Sequence, residues 1–64
     1  KIMNNNKNHE LNEVDGVYRV TFLQDGKSLG TIPYTGKSIH YVNSAIHNWY
    51  AGILTEKTIE QYKE

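Results

Sequence analysis

The chain predicts an α+β fold: an antiparallel β-hairpin, three-stranded if residues 10–16 join it, packed against one amphipathic helix and followed by a short C-terminal helix. Three observations carry that expectation. Two β-rich runs flank Asp25-Gly26, apolar residues then recur at helical spacing from Ile39 to Ile53, and Thr55-Glu56 opens a second helical pattern. With 64 residues the chain makes one domain at most.

Residues 17–23, VYRVTFL, are β-branched and aromatic, which suits a pleated, half-buried surface. The two-residue period puts Tyr18, Val20 and Phe22 on one face and Val17, Arg19, Thr21 and Leu23 on the other. Asp25-Gly26 tolerates positive φ and closes tight hairpins. Residues 28–34, SLGTIPY, form the return strand. A two-residue loop pairs Phe22 with Leu29, whereas a three-residue loop with a glycine bulge pairs Tyr18 with Ile32; the sequence leaves both open. Pro33 has no N–H to donate, so it marks an edge or the start of a turn.

Thr35-Gly36-Lys37-Ser38 reads as a turn and a helix N-cap. Ile39, Val42, Ile46, Trp49 and Ile53 then follow at spacings of 3, 4, 3 and 4, one stripe of a helix over 38–52. Phe22, Val42, Ile46 and Trp49 are the expected core. Gly52 is the expected stop and Thr55 the cap of the short helix, whose apolar side is Ile59 and Tyr62. Residues 1–13 hold five asparagines and little apolar matter, so they read as a flexible N-terminal tail, and 14–64 as the single domain. Met3 is the expected natural start.

Leu, Ile, Val and Phe number 15 of the 64 residues, and cysteine is absent. A core this small rarely supplies more than ~3–5 kcal/mol of net stability. Disulfides and thiolate zinc sites cannot supplement it, which leaves oligomerisation, a partner or close packing. Seven basic residues balance seven acidic ones. That balance shows neither the basic excess of a nucleic-acid binder nor the acidic excess of a nucleic-acid mimic. The longest apolar runs are too short for a signal peptide or a membrane span, so the expected location is cytoplasmic.

Catalytic and metal motifs are weak. Gly36-Lys37-Ser38 lacks the earlier glycine of a phosphate loop, since position 31 is Thr31. His40 and His47 lie seven residues apart, ~10.5 Å of helical rise, too far for one ion. Glu10, Glu13 and Asp15 make no acid–base pair. The chain is therefore expected to be no enzyme and to need no cofactor or metal.

Residues 28–55 carry one formal charge, Lys37, against 13 on the other 36 residues. Burial explains the strand half and the apolar stripe. It does not explain the far arc of the helix: His40, Tyr41, Ser44, Ala45, His47, Asn48 and Ala51. Charge depletion at the centre of a patch marks a protein interface. The expected contacts are Tyr41, Ser44, His47 and Asn48, with Tyr50 at the margin. The expected partner is a protein, a second copy of this chain or a host protein. The alternative is a small DNA-binding accessory module that sets Arg19, Lys27 and Lys37 on phosphates from the hairpin.

The run from Asn48 to Glu64 resembles the SHOCT-type short helical hairpin at Gly52, Ile53, Leu54, Thr55, Glu56, Ile59 and Lys63, and departs from it at Thr58, where an acid is common. The resemblance implies oligomerisation. The small size, the Asn/Lys-rich start and the absent cysteine are also similar to small accessory proteins of bacteriophages and mobile elements of low-GC Gram-positive bacteria. That likeness implies an inhibitor of a host or defence protein.

Overall fold

A computed structural model describes residues 6–64. Three strands, β1 (Lys7–Val14), β2 (Val17–Gln24) and β3 (Lys27–Tyr34), precede two helices, α1 (Ile39–Ala51) and α2 (Glu56–Tyr62). The strands form one antiparallel sheet in the order β1-β2-β3. Both helices cover one face of it, and the other face is left open.

The sheet takes the three-stranded form of the expected fold, and the departure lies in how early its first strand begins. Residues 7–13 are not a tail but most of β1, which begins three residues earlier than the 10–16 segment considered for it. The tail expected over residues 1–5 lies outside the described residues. Composition is misleading here because β1 is ordered from outside. Asp15-Gly16 turns it back onto β2 with both residues at positive φ, 53° and 80°, as a two-residue hairpin loop of type I′ requires. His9 and Leu11 then lie opposite Phe22 and Val20. The Trp49 indole N–H donates to the Asn8 carbonyl at 3.0 Å. Lys7 donates from Nζ to the Trp49 carbonyl at 2.9 Å, with that nitrogen 4.6 Å from the indole centroid.

Neither expected register holds along the whole of the second hairpin. Next to the Asp25-Gly26 turn, Gln24 pairs with Lys27 and Leu23 with Ser28, as a two-residue loop dictates. The register then slips by one residue at Leu29, so that Phe22 meets Gly30 rather than Leu29, and Tyr18 meets Tyr34 rather than Ile32. The reason is facial. Without the slip, Thr31 would oppose Val20 and Ile32 would point away from the helices. The bulge in β3 restores Ile32 to the buried side.

Pro33 lies in β3 as an edge-strand residue. Thr31 turns its carbonyl off the sheet edge, where it accepts from the Glu64 N–H at 2.9 Å. Residue 33 shares that outward direction, so proline at this position removes no ladder bond.

Ser38 caps α1, its Oγ accepting from the Tyr41 N–H at 3.2 Å. Gly52 ends it at φ 84°, with its N–H directed at the Asn48 and Trp49 carbonyls. Val42 and Trp49 are buried, and Ile39 and Ile46 pack beside them half-buried. Ile53, the last member of the expected stripe, lies past the left-handed stop and is 70% exposed. The core is Val20, Phe22, Ile32, Val42, Trp49 and Ile59, with Phe22 and Trp49 edge to face at 5.4 Å.

Thr55 occupies the N-cap of α2 but makes no cap bond from its side chain; its hydroxyl lies 3.4 Å from that of Thr58. Ile59 is buried, and α2 lies over β3. Gly30 allows this. Its φ is 140°, and a Cβ there would stand 2.6 Å from Cδ of Lys63. α1 runs diagonally from the Tyr34 end of β3 to the Lys7–His9 end of β1. The helix-side face of β1 near Leu11 and Glu13 is consequently left uncovered.

Candidate functional site

α1 and α2 stand apart over the end of β3 and enclose an open groove of about 610 Å³. Its floor comes from β3, through Ile32 and Tyr34, and from Leu54 between the helices. One wall is the α1 stripe Tyr41, Ser44, Ala45 and Asn48; the other is Thr58 and Tyr62 of α2. The spacing 41, 44, 45, 48 is one face of a helix, so the wall follows from helical periodicity once α2 is in place.

The groove is nearly free of charge, because Lys37 at its entrance is the one ionisable lysine, arginine or acid on it. Lys37 does not point freely into solvent; its Nζ lies 4.7 Å from the centroid of the Tyr41 ring. Tyr41 is 51% exposed and tilts over Tyr34 with ring centroids 6.0 Å apart. Burial raises the Tyr34 phenol above its ordinary value of 10.0, and the neighbouring Tyr41 adds to the rise. Tyr34 therefore stays a neutral O–H throughout the physiological range and is available to donate or accept a hydrogen bond. Tyr62 is 61% exposed at the opposite wall. The groove thus offers aromatic rings, hydroxyls and one amide, a set suited to an apolar or aromatic side chain with polar backbone around it.

Three of the five expected contacts, Tyr41, Ser44 and Asn48, come together in this groove. The other two do not. His47 is exposed but does not line the groove. Tyr50 turns to β1, where its hydroxyl lies 2.7 Å from Nδ1 of His9 and the two rings meet edge to face at 5.5 Å. Sequence reasoning missed Tyr34, Leu54, Thr58 and Tyr62. Their periodicity assigns them to the strand, the connection and α2 separately, and only the placement of α2 beside α1 joins them.

The basic residues of the DNA-binding alternative are not gathered. Arg19 lies on the open sheet face and forms an ion pair with Glu64. Lys27 starts β3 and Lys37 lies beyond its far end, with about 23 Å of strand between those ends. Among the described residues no cluster of three His, Cys, Asp or Glu side chains is placed to hold a metal. No described helix is long and apolar enough to cross a membrane.

No family model matches the chain, and neither a curated protein nor a solved structure shows significant similarity to it.

Proposed function

We propose that this chain is a non-catalytic protein–protein interaction module whose groove between α1 and α2 receives an extended or helical segment of a host or defence protein. In that role it acts as an inhibitor of the phage-accessory type, in the cytoplasm, where a chain without cysteine is unaffected by reducing conditions. The observation that carries the reading is the groove itself. Tyr41, Ser44 and Asn48 are uncharged on a helix face that has no core to fill, and they line a concavity with Tyr34 and Tyr62. Aromatic, uncharged concave surfaces are where binding energy concentrates in protein complexes. The segment that fits carries an apolar or aromatic anchor, with an acidic group favoured beside Lys37.

The test is a screen of displayed peptides against the full chain, followed by titration of the enriched sequence. Asn48→Glu or Tyr62→Glu is expected to weaken that binding at least tenfold, because each places a desolvated carboxylate in an apolar groove. Ser28→Glu, on the far part of β3, is the control and should leave it unchanged. Binding that survives both groove substitutions would place the partner site elsewhere.

A further inference from the structure

We infer that the free edge of β1 pairs antiparallel with β1 of a second copy, joining two three-stranded sheets into one of six strands. This goes beyond the groove and does not depend on it.

Half of the backbone groups of β1 point away from β2. In a two-residue hairpin the residues flanking the loop, here Val14 and Val17, exchange both hydrogen bonds. Counting back along the register, the even residues of β1 face β2. Lys7, His9, Leu11 and Glu13 therefore direct their N–H and C=O groups off the sheet. Two bonds agree with this alternation. The Asn6 carbonyl accepts from the Asp25 N–H on the β2 side, and the His9 N–H is taken up only by the neighbouring Asn8 side chain. No backbone bond from another described segment reaches the four outward residues. β1 has eight residues, no proline and no bulge, so it presents a continuous template for another strand.

The choice of occupant follows from the side chains. Two copies related by a two-fold axis must match outward groups with outward groups, so odd residues oppose odd residues. Two such registers use nearly all of β1. One centres on Glu10 and sets two carboxylates against each other at the closer, non-bonded position, which is repulsive. The other centres on Leu11 and overlaps residues 8–14 of each copy. It places Leu11 against Leu11, His9 against Glu13 twice, and Glu10 against Asn12 twice. Each acidic residue of the strand then faces a hydrogen-bond donor.

The covering of the sheet points to the same register. α1 crosses only the N-terminal end of β1 and leaves Leu11, 39% exposed, bare on the helix side. The two-fold axis brings the bare end of one β1 beside the covered end of the other. Each Tyr50, 40% exposed at its own His9, then stands next to the bare Leu11–Glu13 stretch of the second copy.

Residue 11 meets its own counterpart only in this register, and that makes the test specific. At about 500 μM, a concentration suited to small interfaces that dissociate readily, the full chain should sediment as a dimer. Leu11→Glu alone and Leu11→Lys alone should each be monomeric, with dissociation constants raised at least tenfold. An equimolar mixture of the two should recover the dimer, because carboxylate then faces ammonium. Leu11 lies outside the core, and far-UV circular dichroism should confirm that both variants are folded; should either unfold, Glu13→Lys paired with His9→Glu gives the same swap one step off the axis. A monomeric wild-type chain at that concentration overturns the inference. So does a dimer indifferent to both charges at position 11, or a mixture that stays monomeric.

Discussion

At the β3 edge, a bulge at Leu29 breaks the run of the strand, Pro33 directs a ring nitrogen outward, and the Glu64 N–H covers the Thr31 carbonyl, with α2 lying across the top. At the β1 edge none of these devices is present among the described residues. β1 is instead tied from one face, by the Trp49 indole, by Lys7 and by the contact of His9 with Tyr50. The difference shows two separate ways of ordering an edge strand. β3 is closed by the chain that follows it, which spends the hydrogen-bonding capacity of the edge. β1 is pinned through side chains and one carbonyl, which orders the strand while leaving that capacity available. A fold that protects one edge so thoroughly and leaves the other bare has an asymmetric surface, and its two candidate binding features, groove and open edge, lie on opposite sides of α1.

Three substitutions probe that contrast. The largest effect is expected from Trp49→Ala. Loss of a fully buried indole costs about 3–5 kcal/mol, comparable to the whole stability available to a core of this size. It also removes the bond that holds Asn8. Urea denaturation should show a largely unfolded population, and amide exchange should show β1 losing protection along with the core. A stable, cooperative Trp49→Ala variant would mean that β1 is held without the indole, by its pairing with β2 and by the Lys7 and His9–Tyr50 contacts.

Gly30→Val attacks the protected edge. Valine at φ 140° is strained, and its Cβ would press on the Lys63 side chain. A cost of about 1–3 kcal/mol is expected from the backbone strain, read as a lower urea midpoint. Amide exchange should accelerate in α2 and at Glu64 more than in β1. Equal acceleration at both edges would show that they are not independently held.

The smallest effect belongs to Glu64→Gln. The Arg19–Glu64 pair is partly exposed and screened by solvent, and such pairs contribute about 0–1 kcal/mol. The edge bond comes from the Glu64 backbone N–H, which the substitution keeps. The midpoint should therefore move little, and Thr31 should remain covered. A large loss of stability here would transfer the closing of β3 from backbone to side chain.

Much of this architecture is legible in residues 14–64. VYRVTFL and SLGTIPY are strands because β-branched and aromatic residues alternate across a pleat, and Asp25-Gly26 adopts the positive φ that a tight loop needs. Ser38 and Gly52 bound α1 as a hydroxyl cap and a left-handed stop. What failed, failed for nameable reasons. Lys7–Val14 has the composition of a solvated segment, since only one of its faces is even partly covered and its anchors come from residues some forty positions later. The bulge at Leu29 answers to the need to bury Ile32, which no local propensity expresses. At the candidate site, Tyr41, Ser44 and Asn48 were readable because charge depletion on a helix face is a one-dimensional signal. His47 and Tyr50 share that signal, and only packing separates them from the groove.

By itself, then, the sequence determined the elements whose cause is local: strands β2 and β3 with the Asp25-Gly26 turn between them, both helices with the two caps of α1, and the uncharged arc of α1. Tertiary structure alone decided the third strand, the slipped register, the groove and the unequal edges. Each of those depends on a contact between segments far apart in the chain, where burial of a whole face outweighs the preference of any one residue.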